Sequence, residues 1–349
     1  MAEEKTHNLV VEESAAGERL DRYVAARVPE LSRTRIQELI EAQRVRVEGR
    51  AVKGAHRLRA GERVVVEAQA RPPMRAEAEE IPLEILYEDE DVLAVNKPAG
   101  MVVHAGAGNT QGTLVNALLG RGQSLSQGGD ALRPGIVHRL DKETSGVILV
   151  AKNDFAHAKL AEAFQKREVK KTYIALVEGL LEENQGRIEL PIGRDMKRRT
   201  RMAVHRPKPG SRGAPGSARA ARTDWKKLAE VDGTTLAEVQ LHTGRTHQIR
   251  VHFSAMRHPV VGDTLYGAER QLQISAGRES RTRRPAVALP ALERNFLHAA
   301  HLGFAQPRTG AWKEVRAPLP PELREFLKAL AAAAGEDSAR IDAVLRPYL

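Results

Sequence analysis

Asp141 is the acidic residue whose surroundings offer the most chemistry. It lies in the run Gly135-Ile136-Val137-His138-Arg139-Leu140-Asp141-Lys142-Glu143-Thr144-Ser145-Gly146, which passes directly into the apolar stretch Val147 to Ala151. A polar loop entering a buried strand has rigid support on one side and a free face on the other, which suits a reactive side chain. Arg139 and Lys142 flank Asp141, and neighbouring cations favour the carboxylate over the acid. An ionised aspartate serves as nucleophile or general base. The same residue could equally cap a turn with Thr144 and Ser145, a role that involves no chemistry. Glycoside hydrolysis would want a second carboxyl group facing the same bond, and Glu143 is the nearest in sequence.

Other chemistries need other residues. The chain has no cysteine, which excludes disulfides, thiolate nucleophiles and Cys-based zinc sites and fits a reducing compartment. Of its 12 histidines, His242, His247 and His252 are evenly spaced at five. That step turns successive side chains away from one another on a strand or a helix, so the three are not expected to share a metal. His298 and His301 would share a helix face at i, i+3, but no carboxylate ligand accompanies them nearby. No metal is expected. Gly106, Gly108 and Asn109, and likewise Gly120 and Gly122, lack phosphate-loop and dinucleotide patterns. They read as turns, with Gly108 and Asn109 suited to positive φ.

Folded elements must hold these groups. With 349 residues, 42% of them hydrophobic, the chain can bury a sizeable core and form two or three domains. Its first ten residues are acidic and polar, without an apolar signal core. No apolar run approaches the thickness of a bilayer, so a soluble cytoplasmic protein is expected. Leu20, Val24 and Val28 predict one helix, ended by Pro29. Ser32 would cap a second, with Ile36, Leu39 and Ile40 on its apolar face. Val45 to Arg50 and Gly61 to Val66 read as strands with turns. Arg33, Arg35, Arg44 and Arg46 cluster around the second helix and its exit. The net charge of +10 attracts polyanions, of which nucleic acid is the commonest in a cytoplasm; a generic basic surface is the other reading.

Residues 68 to 80 are rich in proline and charge and read as a linker. Beyond them, Asp91 to Val95, Gly146 to Ala151, Tyr173 to Val177 and Leu236 to Leu241 are strand-like, which predicts a mixed, mainly antiparallel sheet with helices packed on it. Residues 206–222 and 268–286 are polar and basic and read as mobile loops, either idle or able to touch phosphates. After Pro320, Leu323, Phe326, Leu327 and Leu330 mark one face of a helix. No internal repeat is present at a solenoid period.

Two resemblances sharpen this reading. The run RLD…SRTRIQELI…RVRVEG resembles an S4 RNA-binding domain, a module of two helices and a small sheet that grips structured RNA. HRLDKETSG resembles the signature HRLD(K/R)xT(S/T)G of the RluA family of pseudouridine synthases. Tyr87 to Asp91 leading into Asn96-Lys97-Pro98-Ala99-Gly100, then Lys171-Thr172-Tyr173, then Thr243-Gly244-Arg245-Thr246-His247-Gln248-Ile249-Arg250, match further blocks in the family order. The resemblance runs from about Arg19 to Pro318 and implies an α+β chain. It would comprise a small α/β S4 domain at 14–70, a linker at 71–80, a catalytic domain at 81–328 and a C-terminal helical tail at 329–349.

The resemblance also implies roles. Asp141 would begin the detachment of uracil from ribose by attacking the base, attacking the sugar or removing a ribose proton. Tyr173 would stack on a flipped base and could help remove the C5 proton. Its bland alternative is a packed strand tyrosine. Arg250 would pair with Asp141, or else lie at the surface of a helix starting near Thr246. Ile249 would wall the base pocket. Arg139 would fill the gap left in the stack, since a uridine inside a stem is reached only by flipping. Arg33, Arg35, Arg44 and Arg46 would contact RNA. The implied partner is ribosomal RNA, in assembled or nearly assembled large subunits, with no cofactor, no membrane and a monomeric enzyme. The alternatives are the same chemistry at another rRNA site or on tRNA, and a non-catalytic RNA-binding assembly factor. The presence of Asp141, Tyr173 and Arg250 together argues against the last.

Overall fold

Two valine-containing apolar runs, 64–66 and 92–95, lie in separate hydrophobic cores of the chain. The computed structural model describes residues 4–28, 31, 33–69, 76–104, 110–126, 133–196, 198, 201–206, 218–269, 272 and 292–349. Pro29, Ser32, the Arg33 side chain, Gly106, Gly108, Asn109 and most of 206–222 and 268–286 fall outside them. The chain divides into two compact units, Met1–Met74 and Arg75–Leu349.

The smaller unit contains β1 (Glu4–Val10), α1 (Leu20–Arg27), α2 (Arg33–Glu41), β2 (Val45–Val47), β3 (Arg50–Ala51) and β4 (Arg63–Gln69). Its sheet runs β1-β4-β2-β3. Leu20, Val24 and Val28, spaced by four, bury one stripe against Val64 and Val66, joined by Ile36, Leu39 and Ile40 of α2. Glu48 and Gly49 both take positive φ, 48° and 73°. They form the two-residue connection that matches the twist of the β2–β3 hairpin. β4 extends to Gln69, with Ala68 in the core, so 68–69 belong to the sheet rather than to a linker.

The larger unit begins with β5 (Glu84–Glu88), β6 (Val92–Lys97), α3 (Leu114–Gly120), β7 (Ser145–Ala151), α4 (Asp154–Lys166) and β8 (Lys170–Glu178). It continues with β9 (Gln185–Ile188), β10 (Ile192–Arg194), β11 (Met202–Val204), β12 (Thr223–Val231), β13 (Thr234–Leu241) and α5 (Gln248–Ala255). β14 (Leu297–Ala305), β15 (Trp312–Arg316), α6 (Pro321–Ala334) and α7 (Ser338–Leu345) complete it. The main sheet runs β5-β6-β7-β14-β8-β13-β12-β9, with β15 on β14. It is mixed and mainly antiparallel: β14 pairs in parallel with β7 and antiparallel with β8.

Val92 to Val95 of β6 and Val147 to Ala151 of β7 are unbroken apolar runs because both sheet faces are covered. Leu93, Val95, Ile148 and Val150 point into the core shared with α3, α5 and α6. Val92, Ala94, Val147 and Leu149 point into a second core capped by Ala156 and Leu160 of α4. Alternation along a strand sends neighbours to opposite faces, so a sheet buried on both sides reads as a continuous hydrophobic run.

Two boundaries differ from the sequence reading. Asn116 Nδ2 donates to the Glu77 carbonyl at 2.7 Å and Glu79 N donates to the Asn116 carbonyl at 3.0 Å. The second half of the expected linker is thereby fastened to α3. The expected division at 328/329 falls inside α6, and Leu330, Ile341 and Leu345 share the main core with Leu323 and Phe326, so the tail is part of that core. The histidine pair also differs, since His298 and His301 lie on strand β14 and not on a helix.

Candidate active site

The Asp141 loop is fixed from below by its neighbours in the sheet. His138 stacks on Phe164 with ring centroids 4.5 Å apart, and its Nε2 accepts from the backbone N of Leu149 at 2.8 Å. That bond needs an unprotonated Nε2, and burial pushes the imidazole pKa down to about 3, helped by Lys171. Lys97, fully buried, donates from Nζ to the carbonyls of Pro98 at 2.7 Å, Met101 at 3.0 Å and Lys142 at 3.1 Å. Three acceptors match the three N–H groups of an ammonium, while burial and then Arg294 lower its pKa to about 7. Lys97 thus tethers the residue next to Asp141.

The turn hydrogen bond runs from Thr144 N to the backbone carbonyl of Asp141, 3.1 Å. The carboxylate is therefore not spent on capping. It faces a cavity of about 330 Å³ shared with Arg139, Tyr173, Ile249 and Arg250. The cation on Asp141 is Arg250, whose Nη1 lies 3.3 Å from Oδ2, rather than the sequence neighbours Arg139 and Lys142. Lys142 turns to Glu143 at 3.8 Å, and the half-buried Glu143 is not part of the cavity lining, so it supplies no second carboxylate there.

Arg250 sits on α5 and is buried, not at a surface. Its Nε and Nη2 donate to Asp263 at 2.5 and 2.9 Å. Its guanidinium lies 4.9 Å from the centroid of the Tyr266 ring. Burial works against the charge, but Asp263 and then Asp141 outweigh it and raise its pKa above the usual arginine value. His247, at φ 56°, places Nδ1 2.8 Å from the Tyr266 hydroxyl and Nε2 4.0 Å from Asp141. Tyr173 is 8% exposed. Burial, and secondly Asp141, raise its pKa and keep the phenol protonated. Ile249, nearly buried, closes the wall.

The cavity straddles a seam in the sheet. Asp141 precedes β7 and Tyr173 lies on β8, and β14 separates those two strands. Arg294 Nη2 donates to Ser145 Oγ at 2.9 Å, and Ser145 Oγ lies 2.8 Å from His298 Nδ1. His298 Nε2 lies 3.1 Å from the Ala317 carbonyl. The pattern is satisfied by a neutral imidazole with its proton on Nε2. Gly146, at φ 111°, lies so close to β14 that a Cβ there would sit 2.2 Å from the Ala299 carbonyl oxygen.

Asp141, Arg139, Tyr173, Ile249 and Arg250 are thus brought together, Arg139 exposed at the mouth. Arg35, Arg44 and Arg46 belong to the smaller unit. There Arg35 pairs with Glu38 at 3.1 Å, and Arg44 and Arg46 both approach Glu67, at 3.5 and 3.7 Å. The evenly spaced histidines have separate partners: His242 meets Asp224, His247 meets Tyr266, and His252 meets Thr223 and the Leu190 carbonyl. Sequence reasoning missed Asp263 and Tyr266. The available signal was Gly262-Asp263 directly after the apolar Val260-Val261, an acid placed where burial demands a cationic partner.

Residues 91–255 match the family of RNA pseudouridylate synthases, and residues 18–64 match the S4 domain. An uncharacterized RNA pseudouridine synthase of Chloroflexus aurantiacus is 44% identical over 332 residues, covering 94% of this chain and 94% of that protein. The ribosomal large subunit pseudouridine synthase D of Yersinia pestis is 39% identical over 343 residues, covering 98% of this chain and all of that protein. The solved structure of human RNA pseudouridylate synthase domain containing 1 is 29% identical. It superposes with a TM-score of 0.51 over 77% of this chain and 96% of its own.

Proposed function

We propose that this chain, which belongs to the RNA pseudouridylate synthase family, isomerises uridines of large-subunit ribosomal RNA and does so through Asp141. As an RNA pseudouridine synthase it breaks the N1–C1′ bond of a uridine and forms a C5–C1′ bond as the C5 proton leaves. The base is rearranged on its own ribose, so no second substrate and no cofactor enter the balance.

The observation that carries the role of Asp141 is its carboxylate, held 3.3 Å from a buried arginine in a cavity it shares with Tyr173 and Ile249. The cavity volume is at the small end of ligand pockets, in keeping with a single nucleobase. A base entering it would lie between Ile249 and the Tyr173 ring. A phenol held protonated is a poor base, which favours stacking over proton removal for Tyr173. Arg139, exposed in the cavity lining, would replace the flipped base in its stack. Arg33, Arg35, Arg44 and Arg46 of the S4 domain would add phosphate contacts and a salt-dependent share of affinity.

The choice of large-subunit RNA is supported by relatives at 39–40% identity named ribosomal large subunit pseudouridine synthase D. We assign action on assembled or nearly assembled large subunits, a monomeric state and a cytoplasmic location to the same reading. Among the described residues no helix is long and apolar enough to cross a membrane.

Carbodiimide modification and primer extension, applied to RNA from cells with the gene, without it, and with an Asp141→Asn copy, test the proposal. Large-subunit sites should vanish with the gene and return only with intact Asp141, while the Asn variant still binds RNA. Turnover by the Asn variant refutes the role of Asp141; sites confined to tRNA refute the target.

A further inference from the structure

The cavity holds two kinds of cation. Arg250 is neutralised by two carboxylates, Asp141 and Asp263. Lys171 and Arg245 of the lining, and the exposed Arg167 that acts on both, are not: no carboxylate among the described residues lies within ion-pair distance of any of the three. They come from three elements, the first strand residues of β8, the turn before α5 and the C-cap of α4. Lys171 and Arg245 line the cavity, and the Lys171 Nζ lies 3.8 Å from where a Gly244 Cβ would be. Arg245 Nε donates to the Ala220 carbonyl at 3.2 Å, which fixes its guanidinium. Arg167 holds a left-handed C-cap at φ 64°, a position glycine usually takes because a side chain there costs about 1 kcal/mol.

Gathering three cations without an acid is unfavourable unless an anion joins them. Lys171 registers this: burial, then Arg167 and Arg245, lower its pKa to about 8. A solvated basic face would not do so, because water would screen it. Lys171 and Tyr173 are two residues apart on one strand face, about 6.5 Å along β8. That step is comparable to the span from a nucleobase to its own phosphate.

We propose that Lys171, Arg245 and Arg167 form the subsite for the backbone phosphate of the nucleotide whose base enters the Asp141 cavity. The ligand is a single phosphodiester, and its grip holds the flipped nucleotide while the base is detached. This rests on the reading of the cavity as the base pocket.

The probe is a short stem-loop RNA carrying a uridine that the wild-type enzyme converts, made with natural phosphates or with one uncharged methylphosphonate on either side of that uridine. Single-turnover conversion gives the half-saturating enzyme concentration. Lys171→Gln and Arg245→Gln should each raise it about tenfold or more, as expected for a lost charge-assisted hydrogen bond, and Lys171→Arg should restore most of it. One methylphosphonate should weaken the wild type similarly and add little to the Lys171→Gln defect. Additive losses at both positions, with normal wild-type turnover, overturn the subsite alone. Absence of conversion by the wild type on any RNA overturns the base-pocket reading and the subsite with it.

Discussion

Asp263→Asn tests whether Arg250 is shared between two carboxylates in unequal parts. In the folded chain Asp263 takes two hydrogen bonds from Arg250 at 2.5 and 2.9 Å, and Asp141 takes one at 3.3 Å. The side chains of Arg250 and Asp263 are 9% and 2% exposed. Breaking such a buried pair costs roughly 3–5 kcal/mol. The neutral asparagine keeps one acceptor, and the released guanidinium can close on Asp141, so the net loss should be about 2 kcal/mol. For a domain of this size that lowers Tm by about 4–8 °C. The rate should suffer separately. Turning one long contact on Asp141 into a close, paired one stabilises the resting carboxylate by roughly 1.5–3 kcal/mol. That corresponds to a fall of about 10- to 160-fold in the chemical step. Tritium release from RNA labelled at uridine C5, under single-turnover conditions, reads the rate, and calorimetry reads the melting. Asp263→Glu, which keeps the charge, should recover most of both. A lowered Tm with an unchanged rate would refute the reasoning, because Asp263 would then support the fold without restraining Arg250.

Other consequences are simpler to read. Gly146→Ala should cost about 3 kcal/mol or more, because the new Cβ would meet the Ala299 carbonyl oxygen at 2.2 Å with φ at 111°; a urea midpoint within error of wild type would contradict the parallel β7–β14 pairing. His298 has its folded pKa depressed to about 4 by burial. The unfolded chain therefore binds the proton first, and stability is lost as pH falls from about 6.5 towards 4. The loss from this group is about 3 kcal/mol. Urea titrations across that range should show the slope reduced in His298→Gln, and an unchanged slope would remove His298 from the account.

The strands and helices with strong periodicity were readable because burial imposes it: Leu20, Val24 and Val28, the two-faced runs of β6 and β7, and Leu323 to Leu330. Asp141 and Arg250 were readable through motif resemblance, although they lie 109 positions apart. The second carboxylate on Arg250, Asp263, was not, since nothing local to Gly262-Asp263 states which cation will reach it. The flanking charges of Asp141 misled for the same reason. Lys142 is adjacent in sequence but turns to Glu143, and Arg139 shares the cavity without an ion pair to the carboxylate. His298 and His301 have spacing compatible with a helix, and the sheet contact with Ser145 and Thr172 overrides it. The extent of α6 was hidden because the whole helix lies beyond Pro318, where the motif resemblance ends.

β14 carries an implication for how the molecule comes into being. Every motif residue through Arg250 is synthesised before the strand at 297–305 that joins the halves of the sheet. Until that strand arrives, β5-β6-β7 and β8-β13-β12-β9 are unconnected ribbons, each with an unpaired inner edge prone to wrong association. The nascent chain thus contains Asp141 on one ribbon and Tyr173 on the other with nothing fixing their separation. Contacts this distant in sequence form late and slowly. Competence for chemistry is therefore gained in one step near the end of translation, when the last central strand inserts.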